Sequence, residues 1–103
     1  MLIRHKYELS SRLERVIDIG AVEIRNEELL RWYDQQRVTK NIWRDMQDRW
    51  EELEQEAPLL AGSYDSGWLL IWGEGLAPGK DAWLQDIRVR AGRDLPDTIG
   101  KAA

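Results

Sequence analysis

The sequence contains no cysteine, no phenylalanine and a single histidine, His5. The absence of cysteine excludes disulfides, thiolate nucleophiles and cysteine zinc sites. An imidazole-based metal site would need a second histidine, and histidine is also the most common general base. The 19 Asp and Glu residues form so many chance carboxylate pairs that none can be selected as an acid and base. We therefore predict a non-enzymatic protein with no catalytic, cofactor-binding or metal-binding residues.

Long apolar runs are also absent. No segment approaches the roughly 20 apolar residues of a membrane helix, and the first residues, MLIRHKYEL, are charged by residue 4 and contain no apolar run of secretory length. We expect a cytoplasmic protein that does not enter a membrane. A chain of 103 residues with 43% hydrophobic and 33% charged residues fits one globular domain, at 1–91, followed by a mobile tail at 92–103.

Basic residues are fewer than acidic residues, 15 against 19, and the net charge is −4. Residues 1–50 carry ten Lys or Arg against nine Asp or Glu, whereas residues 51–103 carry five against ten. Nucleic-acid-binding domains usually have a basic excess, because neutralising phosphates supplies much of their affinity. The acidic second half, which includes EELEQE at 51–56, instead favours a protein partner with a basic surface.

The first 36 residues predict a strand, two helices and a second short strand. Residues 2–9 alternate between apolar and charged side chains, which is typical of a strand. A helix is then predicted from about residue 11 to 18, because Ser11 and Glu14 form an S-x-x-E capping box. The segment RVIDI is rich in β-branched residues, which favour strands, so 11–19 could be either helix or strand. AVEI at 21–24 is a short possible strand, and Asn26 is the predicted cap of a second helix at 27–36.

The clearest periodic pattern in the chain predicts a third helix. Thr39 is its predicted cap, and we expect the helix to run to about Glu56 and to stop before Pro58. Its apolar residues recur at alternating spacings of three and four, which places them on one face of the helix. They are Trp43, Met46, Trp50, Leu53 and Ala57.

The second half of the chain predicts two strands separated by loops. LLAGSYDSG at 59–67 and GEGLAPGK at 73–80 are predicted loops, and the second lacks the first glycine and the Ser or Thr of a phosphate-binding loop. GWLLIWG at 67–73 is apolar on both faces, which is typical of a central, buried strand. Residues 81–91 could be helix or strand, although DIRVRA alternates like a strand.

The fold class predicted by these elements is α+β. About three helices would pack on a small, mostly antiparallel sheet. The sheet would consist of the N-terminal strand, GWLLIWG and DIRVRA.

One stretch resembles the recognition helix of a helix-turn-helix. In V-T-K-N-I-W-R, a cap is followed by polar and basic residues, as where such a helix enters the major groove. Arg44 could contact guanine, Asn41 could contact adenine, and Lys40 or Arg37 could bind phosphate. Carboxylates on later turns of the same face would repel the DNA backbone. A DNA-binding regulator using residues 27–56 is therefore the alternative hypothesis and not the first.

The preferred hypothesis is a small adaptor- or inhibitor-type protein that binds an unidentified protein partner, with a homodimer as one form. Six tryptophans in a chain without phenylalanine either fill the core or anchor an interface, where large amphipathic rings are common. GWLLIWG could pair as a sheet edge with a partner strand or with its own copy. The interface candidates are Trp68, Leu70 and Trp72 in this segment, and Trp43 and Trp50 on the third helix.

Overall fold

The computed structural model describes residues 1–79 and 82–93, and it confirms the α+β class. Within these residues four helices pack on a four-stranded antiparallel sheet, and the chain is 46% helical and 21% strand. In chain order the elements are α1 (Ile3–Ile19), β1 (Ala21–Arg25), α2 (Asn26–Tyr33), α3 (Lys40–Glu52), β2 (Leu59–Tyr64), β3 (Gly67–Trp72), β4 (Gln85–Asp86) and α4 (Ile87–Arg90). The tail expected at 92–103 lies outside the described residues from 94 onward.

The N-terminal strand prediction was wrong, because residues 3–19 form one continuous helix, α1. The alternating pattern placed Ile3 and Tyr7 on the same side of a strand as His5 and Leu9, yet Ile3 and Tyr7 are 69% and 72% exposed. Successive buried residues are instead four, four and three positions apart, which matches the helical repeat and also settles 11–19 as helix. The buried residues of α1 are His5, Leu9, Leu13 and Val16.

Two residues with left-handed backbone conformations mark the ends of α1 and α2. Gly20 has a φ of 102° and its backbone N–H donates to the carbonyl of Val16, which ends α1. The strand predicted at 21–24 follows at once as β1 and is confirmed. The predicted second helix is also confirmed, but the predicted cap was wrong, because Arg25 is the N-cap and Asn26 is the first helical residue. The helix α2 ends at Tyr33, because Asp34 adopts a φ of 52°.

The third helix, α3, begins after Thr39 as predicted but ends four residues early. Its last helical residue is Glu52, because Glu54 takes a left-handed φ of 56°. Pro58 therefore does not terminate α3.

The loop predicted at 59–67 was wrong, because residues 59–64 form β2. The first four residues of β2 are all buried, so the strand has no polar face. That removes the alternation by which a strand is recognised, and the Gly and Ser residues of the segment are more typical of loops.

The strand predicted for DIRVRA was also wrong. Only Gln85 and Asp86 form the short strand β4, and α4 follows at once. The carboxylate of Asp86 accepts a hydrogen bond from the backbone N–H of Arg88 at 2.9 Å and so caps this helix. The side chains of Ile87 and Ala91, four residues apart, are both fully buried, as expected on one face of a helical turn.

The strand order in the sheet is β1-β3-β2-β4. GWLLIWG, as β3, is paired on both sides, which confirms the predicted central strand. Residues opposite each other point to the same face, so the face that contains Ile24 also contains Trp68, Leu70 and Trp72. Buried residues of all four helices form one core with this face. The opposite face, which we call the outer face, contains Leu69 and Ile71 of β3 and their register partners Gly62 and Leu60 of β2.

An ion pair between Arg12 of α1 and Glu28 of α2 ties the helices to the edge of the sheet. Two guanidinium nitrogens of Arg12 contact the two carboxylate oxygens of Glu28, at 2.5 and 3.2 Å. The same guanidinium donates to the carbonyl of Glu23 in β1 and lies 5.5 Å from the ring of Trp32. The hydrogen bond from Arg12 is the main reason why the pKa of Glu28 lies below its ordinary value of 4.5.

Because the folded-state pKa of Glu28 is lowered, its ion pair stabilises the protein above pH 4.5, and this contribution disappears as the pH falls through the folded pKa. We expect Glu28→Gln to lower the free energy of unfolding by roughly 1 kcal/mol at neutral pH, because the pair is partly exposed to solvent. Urea denaturation at neutral pH and at about pH 3 checks this, and the difference from wild type should shrink at the lower pH. Glu27→Gln is the matched control, since the pair of Glu27 with Arg25 is long and exposed. A deficit of Glu28→Gln that persisted unchanged at low pH would contradict the role of the charge.

Candidate protein-binding surface

The five interface candidates lie together, but between α3 and β3 inside the protein. Trp43, Trp50 and Leu70 are 4%, 2% and 0% exposed. Trp68 and Trp72 are half-buried, and each packs edge-to-face on a tryptophan of α3. The ring centroids of Trp43 and Trp68 are 4.7 Å apart, and those of Trp50 and Trp72 are 5.9 Å apart. These residues attach α3 to the sheet, and of the five only Trp68 and Trp72 keep part of their surface exposed.

The chain itself covers one end of this tryptophan cluster. The guanidinium carbon of Arg90 in α4 lies 4.6 Å from the ring of Trp68 and 5.9 Å from that of Trp43, within the range of a cation–π contact. Burial lowers the pKa of Arg90 from its ordinary value. The short helix α4 therefore occupies the place that a partner would need in order to reach Trp68.

The suggestion that GWLLIWG forms a sheet edge was wrong, because β3 is hydrogen bonded to β1 and β2. The edge strand on one side is β1, and its outward-facing backbone groups are partly occupied. Arg12 donates to the carbonyl of Glu23, and the carboxylate of Glu28 accepts from the backbone N–H of Arg25, both at 3.1 Å. Side chains of α1 and α2 thus protect this edge against strand addition.

The opposite edge is protected by a tryptophan. The strand β4 pairs with only two residues of β2, Leu60 and Ala61. Farther along β2, the indole N–H of Trp83 donates to the carbonyl of Ser63. A partner strand would have to displace this indole, so recognition by backbone pairing is unfavourable at this edge as well.

The outer face of the sheet is open only in part, because on β2 Leu60 is 1% exposed and Gly62 is buried. The part with accessible apolar residues lies over β1 and β3. Leu69 and Ile71 of β3 are half-buried there, and Ala21 of β1, opposite Ile71, is exposed. Trp83 lies on this face above Gly62, where a Cβ atom would come within 2.8 Å of the indole ring. Because Gly62 is the register partner of Leu69, the indole flanks the open residues of β3. Trp83 is 53% exposed.

The rim of the outer face contains one acidic and one basic residue on the same strand. Glu23 and Arg25 of β1 are both exposed and point to the outer face, with Glu23 opposite Leu69. Within the described chain, the one ion pair of Arg25 joins it to Glu27 at 3.8 Å, and both side chains are exposed. Exposed ion pairs contribute little to stability, so the guanidinium of Arg25 is available to another carboxylate.

The proposed DNA contacts lie at the start of α3. Arg37, Lys40, Asn41 and Arg44 are all exposed, but the guanidinium of Arg44 donates to the carbonyl of Ala91 at 2.8 Å. The first helix of a helix-turn-helix crosses the second after a turn of three or four residues. Here α2 packs on α1, β1 and β3, α3 packs on α4, and the link at 34–39 has six residues. The helix-turn-helix stays a prediction without support from this arrangement.

Trp83 is the surface residue that our sequence analysis missed. It lies in the segment 81–91, whose pattern predicted neither helix nor strand clearly. The available signal for a surface residue was a single tryptophan outside any periodic pattern. Within residues 1–79 and 82–93, no group of three His, Asp or Glu side chains is placed to hold a metal ion, and no helix has the length and apolar character to span a membrane. The chain matches no protein-family model, no curated protein and no solved structure.

Proposed function

We propose that this chain is a non-enzymatic protein-binding module that acts as a homodimer through the outer face of its sheet. The observation that carries the proposal is the apolar part of the outer face, where the half-buried Leu69 and Ile71 lie beside a 53% exposed tryptophan, Trp83. Contiguous exposed apolar patches with a polar rim are typical of protein-binding sites. Tryptophan is also enriched among the residues that dominate binding energy.

The rim charges favour a second copy of the chain as the partner. In a two-fold interface, residue i of one protomer meets residue j of the other, and j meets i. Glu23 and Arg25 have opposite charges, lie two residues apart and point to the same face. A two-fold axis near this strand would therefore form the Glu23–Arg25 contact twice, whereas two identical charges would repel each other.

The experiment is a charge exchange followed by sedimentation equilibrium over the micromolar concentration range. We expect wild type to dimerise, and Glu23→Arg and Arg25→Glu each to weaken the dimer about tenfold or more, because each change creates two like-charge contacts. The double variant, with both changes, should recover most of the affinity. Recovery in the double variant is the result that a merely structural role of either residue would not produce.

Ile71→Lys tests the apolar part of the same face and should abolish the dimer. Ile3→Lys is its matched control, since Ile3 is 69% exposed on α1 and lies outside the outer face. A monomeric wild type at the highest concentration would overturn the proposed homodimer, as would equal effects of the two lysine variants. Binding to a basic partner and binding to DNA stay predictions, and neither enters this test.

A further inference from the structure

A pocket lies between the start of α1 and the end of α2, and none of its lining residues belongs to the outer face of the sheet. Its volume is about 350 Å³, at the lower end of the range for small-molecule sites. It combines apolar side chains with one basic, one acidic and one imidazole group. The lining residues are Met1, Leu2, His5, Arg31, Trp32 and Asp34.

His5 is the first sign that the pocket accommodates a polar ligand. Its side chain is only 7% exposed and lines the pocket. Neither ring nitrogen has a hydrogen-bond partner within the described part of the chain. The imidazole is therefore a largely buried polar group on the wall of the pocket, available to a ligand there.

One side of the pocket favours a carboxylate. The 17-residue helix α1 begins beside it with Leu2 as the N-cap, and this end has no side-chain cap and no acidic residue in its first turn. Its free N–H groups and the positive end of the helix dipole attract an anion. Arg31 adds a guanidinium that has no ion pair in the described chain and can bind a carboxylate through two hydrogen bonds.

The other side of the pocket favours a cation. Asp34 is the C-cap of α2, where the helix dipole is negative, and its carboxylate has no ion pair within the described residues. Asp34 is also held in the left-handed region, with a φ of 52°, which places it at the turn beside Trp32. An ammonium group here would meet the carboxylate and the negative end of α2.

The remaining wall is apolar. The side chain of Trp32 is fully buried, and its indole N–H already donates to the carboxylate of Glu8 at 2.6 Å. The apolar surface that a ligand can contact therefore comes from Met1 and Leu2, which are 41% and 56% exposed, while Trp32 is closed to solvent. We propose that this pocket binds a small zwitterion with an apolar side chain, that is, an α-amino acid, with its carboxylate at Arg31 and the start of α1 and its ammonium at Asp34.

Three probes with the same apolar body test the two charged contacts separately. L-Phenylalanine has both charges, 3-phenylpropanoate has only the carboxylate, and 2-phenylethylamine has only the ammonium. We expect the amino acid to bind at least about tenfold more tightly than either single-charge probe, because each charge-assisted contact would be lost in one of them. Amide and indole NMR signals report the site, and the indole N–H of Trp32 should shift while that of Trp83 should not.

Two variants assign the contacts. Arg31→Gln should weaken L-phenylalanine about tenfold and leave 2-phenylethylamine unchanged, and Asp34→Asn should weaken L-phenylalanine and leave 3-phenylpropanoate unchanged. Arg15→Gln and Asp18→Asn are the matched controls, because both residues are exposed on α1 and absent from the pocket lining. Equal binding of the three probes, no binding of any, or shifts that avoid Trp32 would overturn the proposal.

Discussion

Replacement of Trp50 by alanine is expected to lower the free energy of unfolding by about 3–5 kcal/mol, the range for removing a large aromatic side chain from a core. Trp50 is 2% exposed and packs edge-to-face on Trp72. Its indole N–H also donates to the carbonyl of Ala57 at 2.9 Å, which holds the chain between α3 and β2. The substitution therefore leaves a large cavity and an unpaired buried carbonyl.

Urea denaturation followed by circular dichroism measures this loss. Trp50→Phe keeps most of the ring and removes the hydrogen bond, so it should cost less than alanine and should remain folded if the alanine variant does not. Trp83→Ala is the matched control and should cost no more than about 1 kcal/mol, because Trp83 is 53% exposed. Similar losses for Trp50→Ala and Trp83→Ala would contradict the packing of α3 on β3.

Replacement of Asp86 by alanine is expected to lower the free energy of unfolding by about 3 kcal/mol, because it breaks a buried ion pair and leaves one charge uncompensated. The side chains of Asp86 and Arg88 are only 8% and 17% exposed. One carboxylate oxygen of Asp86 accepts from both the backbone N–H and the Nε of Arg88, each at 2.9 Å. The alanine variant therefore loses the cap of α4 as well as the ion pair.

Thermal unfolding of two further variants separates these contributions. Asp86→Asn retains an oxygen that can cap α4 but loses the charge, so its loss should be smaller than that of alanine. Asp48→Ala breaks an ion pair with Arg93 in which both side chains are exposed, and it should lower the free energy of unfolding far less than Asp86→Ala does. Equal losses at Asp86 and Asp48 would show that the Asp86–Arg88 pair is not buried in solution.

The position of α4 connects these stability predictions with the proposed interface. α4 packs on α3 and places Arg90 over Trp68, so the tryptophan cluster is closed on the helical side of the sheet. All four helices contribute to this one side. The proposed homodimer therefore uses the part of the outer face over β1 and β3, with Trp83 at its border.

Local sequence signals determined much of the architecture. The apolar repeat that follows Thr39 was sufficient to predict α3, since an amphipathic face is a local property of a helix. Thr39 occupies the predicted N-cap position, although its side chain makes no capping hydrogen bond. GWLLIWG was recognised as a central strand from its apolar residues on both faces. It is hydrogen bonded to a strand on each side, although Leu69 and Ile71 on its outer face are only half-buried. These elements, together with β1 and α2, were enough to predict the α+β class.

Only the tertiary structure decided which apolar residues are covered. Ile3 and Tyr7 gave the sequence of α1 the alternating pattern of a strand, because nothing in the sequence marks them as exposed. The six tryptophans are equivalent in the sequence, yet Trp32 is fully buried and Trp83 is 53% exposed. Burial depends on residues that are distant in the chain, such as the pairing of Trp50 in α3 with Trp72 in β3. Local periodicity contains no information about such partners, so the open surface emerged only once the helices were placed on the sheet.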